Sequence, residues 1–157
     1  MRAALPLLIA SGLLLAACGD DGPTPATHGG APQSTASAEE ARAILAGFGE
    51  PYLSADIDQG RQLFRRCAAC HTISEGGRHR VGPNLHGMFG REVGTAEGFP
   101  YSPALQSADF AWSTEELDDW LANPRTYLPG NRMSFAGLRS EEDRDALIAF
   151  LAVETAR

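Results

Sequence analysis

Cys67 and Cys70 are separated by two alanines and followed at once by His71, in the stretch Arg66-Cys67-Ala68-Ala69-Cys70-His71. Thiols at this spacing sit about one helical turn apart, which lets both add to the vinyl groups on one edge of a porphyrin. The adjacent imidazole can then bring a ring nitrogen to the iron. In an exported chain this pattern is c-type haem attachment. Two other chemistries use a Cys-x-x-Cys pair. A thioredoxin-like redox pair belongs to a βαβ pattern that is missing here, and a structural zinc site needs a second ligand pair at the usual spacing.

An iron that only passes electrons also holds a sixth ligand. Met1 leaves with the N-terminal leader, so Met88 and Met133 remain. Met88, in Leu85-His86-Gly87-Met88-Phe89-Gly90, reads as a core residue. Met133 ends the turn-rich stretch Tyr127-Leu128-Pro129-Gly130-Asn131-Arg132-Met133, which can wrap over the second haem face. His28, His79 and His86 are expected to be linker, hydrogen-bonded or surface residues rather than ligands.

The third cysteine needs its own account. Arg2 is followed by an apolar run, Ala3 to Ala17, broken by Pro6 and Ser11-Gly12. A run this short does not span a bilayer, which takes about 20 apolar residues, and it fits the apolar region of a secretory signal. Leu15-Ala16-Ala17-Cys18 resembles the lipobox of bacterial lipoproteins. That resemblance implies cleavage before Cys18, lipidation of its thiol, and a domain anchored on the periplasmic side of a bacterial membrane. Two or three acyl chains make a stable anchor where one is marginal. Gly19, not aspartate, follows the cysteine, so the inner-membrane retention signal of some lipoproteins is absent. The alternative is an ordinary leader with a chance cysteine.

Residues 19–38, GDDGPTPATHGGAPQSTASA, hold almost no large apolar side chain and cannot offset the entropy of ordering. Residues 38–48 can form a short helix capped by Ser37, cut off by Gly47 and Gly49-Glu50-Pro51. The organisation expected is a signal peptide over 1–17, a lipidated cysteine and flexible linker over 18–53, and a folded domain over 54–157. The tether would reach roughly 30 Å and keep the domain close to membrane partners.

Three helices can be argued directly. One spans about Ile57 to Ala69, with Ile57, Gly60, Phe64 and Cys67 near one stripe. Gly60 costs about 1 kcal/mol of helix propensity, which close contact with another helix would explain. A second follows the capping box Ser113-Thr114-Glu115-Glu116 and stops before Pro124. A third starts at Ser140 with acidic residues in its first turn, and Leu147, Phe150 and Leu151 form its buried face. No strand pattern is convincing. Helices joined by long irregular loops make a poor core, and a covalent haem would supply the missing apolar volume.

The 157 residues carry a formal net charge of -7, and all 13 basic residues are arginine. An acidic chain without a basic surface is no general nucleic-acid binder. Neither an activated serine or cysteine, nor a paired-carboxylate constellation, nor a phosphate loop is present, and the carboxylates read as solvated surface.

From about Asp56 to Phe150 the sequence resembles the class I c-type cytochromes, of the mitochondrial and bacterial c2 type. The landmarks are GRQLFRRCAACHT, GPNLHGMFGR, GFPYS, Trp112, ANPRTYLPGNRMSFAG and DALIAFL. The resemblance implies an all-α fold, helices and long loops wrapped around one covalent haem c held by Cys67 and Cys70. His71 and Met133 would be the axial ligands, and Pro83 would offer its carbonyl to the far nitrogen of His71. Arg91, Tyr101 and Trp112 would bond the haem propionates. Gly60 and Phe64 would meet Leu147 and Phe150 where the first and last helices cross. Two positions depart from the family. Trp120 replaces the tyrosine that bonds the methionine sulfur, which leaves open whether an indole N–H does the same. Asn131 replaces the threonine that bonds a propionate near the ligand loop.

The function implied is electron transfer, not enzymatic catalysis. Arg66, Arg78, Arg80, Arg125, Arg132 and Arg139 occupy positions where the family carries a ring of lysines, and they would steer docking to a quinol–cytochrome c reductase and a terminal oxidase, or to a photosynthetic reaction centre. Two rivals remain open at this point. One is a peroxidase-like or ligand-sensing haem protein with a labile Met133; the other is a dedicated cytochrome subunit of one membrane oxidoreductase.

Overall fold

The computed structural model describes residues 36–156. The signal peptide, Cys18, His28 and the linker as far as residue 35 lie outside the described residues. The described chain is helical, in the order α1 (Ala38–Ala46), a 3-10 turn (Tyr52–Ser54), α2 (Ile57–Ala68), α3 (Pro103–Gln106), α4 (Thr114–Ala122), α5 (Pro124–Tyr127) and α6 (Glu141–Thr155). Among the described residues the sole strand-like feature is an isolated bridge between Glu92 and Ala111. This is the all-α architecture expected.

Local chemistry sets each boundary. Asp56 caps α2 by accepting from the backbone N–H groups of Asp58 and Gln59, while Arg65 and Arg66 lie in the last turn, where the helix dipole favours cations. Ser113 caps α4 by accepting from Glu116 N–H, and Ser140 caps α6 in the same way from Asp143 N–H. The two four-residue helices, α3 and α5, open with Ser102-Pro103 and Asn123-Pro124, a capping side chain followed by proline at the first helical position.

The core is the crossing of α2 and α6. Gly60 lies on the backbone of Ala146, and the Phe64 and Phe150 rings pack with centroids 5.3 Å apart. Gln59 donates to the Asp143 carboxylate across the same crossing. Arg144 joins α6 to α4: its Nε and Nη2 donate to the two oxygens of Asp118 at 2.6 and 3.2 Å, and Nη1 donates to the Leu138 and Arg139 carbonyls.

In two places the structure departs from the sequence expectation. First, residues 37–53, placed in the linker on sequence grounds, pack against the folded core. Ser37 caps α1, Leu45 is 2% exposed, and Ala41 and Tyr52 are also buried. The Tyr52 hydroxyl lies beside the Thr114 side chain at the start of α4, and Phe48 meets Phe89 edge-on at 5.2 Å. The glycines and proline that end α1 do not free the segment, because tertiary burial holds it. Second, α6 has no exposed face at its centre. Every residue from Ala146 to Val153 is 3% exposed or less. The reason includes the first departure: α1 and the 3-10 turn pack on α6, and not on α2, adding to the cover that α2 and α4 provide.

Candidate functional site

The C-terminal end of α2 presents Cys67 inside the helix and Cys70 in the turn that closes it, where Cys70 N–H and His71 N–H both donate to the Cys67 carbonyl at 2.9 Å. Both thiols are free and half-buried. Burial pushes the Cys67 thiol up to about 11, with Arg66 pulling it back down. A thiol so placed stays protonated at neutral pH and is no activated nucleophile.

His71 lies between its own turn and the loop after it. Its Nδ1 is 2.8 Å from the Pro83 carbonyl oxygen. A carbonyl only accepts, so Nδ1 carries the proton and Nε2 keeps its lone pair. Burial lowers the pKa of the ring, against the pull of the Pro83 hydrogen bond, which favours the neutral imidazole a metal requires. Gly82 packs flat on the ring: a Cβ there would lie 2.3 Å from His71 Cε1. Gly82 is itself fixed, since its N–H donates to the Cys70 carbonyl and its carbonyl accepts from Arg80 N–H.

Other histidines and methionines sit elsewhere. His79 has both ring nitrogens engaged, one with Asn84 N–H and one with the Glu97 carbonyl. Met88 is 3% exposed in the core. Met133 is half-buried and packs against the core cluster.

Arg91 and Trp112 are brought together by backbone pairing, and Tyr101 lies near the Arg91 guanidinium. Trp112 N–H donates to the Arg91 carbonyl at 3.0 Å, and Gly90 N–H donates to the Trp112 carbonyl at 2.8 Å. The Arg91 guanidinium donates to the His86 and Asn84 carbonyls, and its charge offsets the rise that burial imposes on the Tyr101 hydroxyl. Trp112 also joins a closed set of four rings with Phe110, Tyr127 and Trp120. Asn131 is used inside its own loop: Nδ2 donates to the Pro124 and Leu128 carbonyls, and Oδ1 accepts from Met133 N–H.

Sequence reasoning missed two supporting residues. Asn84 is buried and orders the loop beside His71, donating from Nδ2 to Thr72 Oγ1 and the Ser74 carbonyl and accepting from His86 N–H. Arg144 is the other, although its place one turn into α6, four residues past the Ser140 cap, is the signal that could have found it.

These residues suit a covalent haem. The donor set combines two free thiols, a neutral imidazole with one free nitrogen and a thioether. The Arg91 guanidinium, with Tyr101 and Trp112 close by, is the polar group that would meet haem carboxylates.

Comparison with known proteins agrees. The sequence model of the cytochrome c family matches residues 57–153. The chain is 46% identical over 101 residues to cytochrome c of Stellaria longipes, covering 64% of this chain and 94% of that protein. It is 48% identical over 102 residues to cytochrome c of Chlamydomonas reinhardtii, covering 64% and 91%. With cytochrome c of Kluyveromyces lactis the figure is 42% over 102 residues, covering 64% and 93%. On a match that spans most of the chain and contains both cysteines and His71, this protein belongs to the cytochrome c family, whose members carry one covalently attached haem c and transfer electrons without being enzymes.

Proposed function

We propose that this chain is a membrane-tethered carrier of single electrons, with His71 and Met133 as the axial ligands of its haem. The observation that carries the reading is the 2.8 Å contact of His71 Nδ1 with the Pro83 carbonyl beside two free thiols. That hydrogen bond fixes the tautomer and the ring plane and leaves Nε2 as a ligand. Haem c supplies a one-electron ferric–ferrous couple, with a potential that a methionine ligand raises. Around it Arg91, Tyr101 and Trp112 would hold the propionates, and Met88 and Phe64 would belong to the apolar floor.

The partners fit the arginines. Arg66, Arg78, Arg80, Arg125, Arg132 and Arg139 are all exposed, and among the described residues the ion pairs are Arg61–Asp58 and Arg144–Asp118 alone. Arg66 lies over the Phe135 ring, Arg80 donates to the Ala68 carbonyl between the two cysteines, and Arg132 donates to the Pro100 carbonyl. These contacts orient the guanidinium groups without neutralising them. An un-neutralised set of this kind suits acidic patches on a quinol–cytochrome c reductase and a terminal oxidase, or a photosynthetic reaction centre. Cys18 would tie the chain to a membrane on the exported, periplasmic side.

The deciding experiment is the absorption spectrum of the purified protein, oxidised and reduced. A sharp reduced c-type spectrum, together with the weak far-red band of methionine bound to ferric iron, is the expected result. A ferric form at neutral pH without that band would remove Met133 from the ligand set. For the partners, reversing charge at Arg66 and Arg125 is expected to slow association at low salt, and an unchanged rate would sink the docking reading. For the anchor, Cys18→Ser is expected to move the protein from membranes to the soluble fraction with its haem spectrum intact.

A further inference from the structure

We propose that Asn131 is a positioning residue for Met133: it holds the ligand loop in register through backbone hydrogen bonds and does not itself touch the haem. The inference rests on Met133 being the sixth ligand.

The argument starts from what one amide can do. An asparagine side chain has two N–H donors and one carbonyl acceptor. At Asn131 all are used within the loop. Nδ2 donates to the Pro124 carbonyl at 2.7 Å and to the Leu128 carbonyl at 2.8 Å, and Oδ1 accepts from Met133 N–H at 2.9 Å. No N–H is left for a propionate, which separates this residue from the propionate-binding role implied by its position in the family.

The three bonds also have a direction. Pro124 opens α5 and is fully buried, so its carbonyl belongs to a fixed part of the molecule. Leu128 closes α5, and its carbonyl also accepts from Asn131 N–H. The side chain thus ties both ends of α5 to the backbone of Met133. Beyond Met133 the chain has no regular element until α6, and the next backbone anchor is Leu138 N–H on the Leu121 carbonyl. From Arg132 to Gly137 the bond to Asn131 Oδ1 is the sole hydrogen bond made by a backbone N–H among the described residues. A loop anchored at one point before its functional side chain depends on that point for its register. Without it, opening of Met133 away from the iron becomes less costly, and an outside ligand that competes with Met133 binds in proportion to the opened fraction.

The test uses the haem-loaded full chain and imidazole as the competing ligand. Asn131→Ala removes all three bonds, and Asn131→Thr keeps a hydroxyl that can accept from Met133 N–H two residues on. Asn131→Ala is expected to bind imidazole to its ferric form at least tenfold more tightly than the unaltered protein and to lose the far-red band at lower urea. Asn131→Thr is expected to recover part of both. Imidazole affinity within twofold of the unaltered protein, with the band intact in Asn131→Ala, would overturn the inference while leaving Met133 ligation standing. A missing band in the unaltered protein would instead overturn Met133 ligation, and the inference with it. Should Asn131→Ala not fold, hydrogen exchange at the Met133 amide of the unaltered protein decides. Slow exchange relative to Arg132 and Ser134 is expected, and exchange as fast as theirs would overturn the inference.

Discussion

Gly60 in α2 lies so close to Ala146 in α6 that a Cβ on Gly60 would come within 2.0 Å of the Ala146 carbonyl oxygen and 2.7 Å of Phe150 Cβ. The obstacles are the Ala146 backbone and the Cβ of the buried Phe150, so neither can step aside cheaply. Any side chain at position 60 must push the helices apart and loosen the Phe64–Phe150 contact. Gly60→Ala is expected to cost about 1–3 kcal/mol or more, despite the gain in helix propensity that alanine brings elsewhere. Urea unfolding of the haem-loaded protein checks this. A midpoint at or above that of the unaltered protein would show that the crossing tolerates separation.

Gly82 and His71 give a second glycine constraint with a different consequence. A Cβ at Gly82 would lie 2.3 Å from Cε1 and 2.7 Å from both ring nitrogens of His71. The collision is with the ring, not with the core, so Gly82→Ala is expected to move the imidazole and break its 2.8 Å bond to Pro83. The measurable results are a lowered yield of haem-attached protein and an altered reduction potential in what is recovered, since the hydrogen bond sets ligand basicity. Unchanged potential and yield would mean that the 81–83 loop yields instead.

Leu45 tests whether α1 belongs to the domain. It is 2% exposed against the core that includes α6. Leu45→Ala in the full chain is expected to cost about 2–5 kcal/mol, the range for a fully buried leucine whose cavity cannot collapse. A cost within about 0.5 kcal/mol, typical of a surface site, would return residues 38–53 to the status of linker. The same reasoning predicts that a form starting at Ser54 uncovers one side of α6 and self-associates more readily than a form starting at Ser37, as size-exclusion chromatography would show.

The pattern of what the sequence revealed depends on how local each feature is. α2, α4 and α6 carry their own caps, Asp56, Ser113 and Ser140, and their apolar spacing, so they were legible within one residue. α1 was half legible. Its cap Ser37 and apolar positions were visible, but the helix, ended by Gly47 and Gly49-Glu50-Pro51, was counted with the linker over 18–53, and only the packing of Leu45 and Tyr52 shows otherwise. The two short helices were missed although Ser102-Pro103 and Asn123-Pro124 are start signals, because four residues carry no periodicity. In the site, the thiols and His71 were visible as a motif. The network at Asn131 was not, because it depends on where the Pro124 and Leu128 carbonyls fall in space. The partners of Arg144 were not legible for the same reason: Asp118 and the adjacent pair Leu138 and Arg139 come from two separate places in the chain.

Asp145 sets a pH dependence with a definite sign. Burial holds its carboxyl above the ordinary 3.8, Asp118 and Glu141 push the same way, and Arg144 pulls it back. The native state therefore holds this proton more tightly than the unfolded chain. Its contribution to stability is fully present below pH 3.8 and is lost as the pH rises through the higher native value. Asp145→Asn keeps the shape and removes the charge. It is expected to raise the urea midpoint at pH 7, with the gain fading as the pH falls below the carboxylate range, where aspartic acid and asparagine are both neutral. An equal gain at both pH values would assign the effect to new amide contacts and not to charge. A loss at pH 7 would mean that attraction to Arg144 outweighs burial and the two neighbouring carboxylates together.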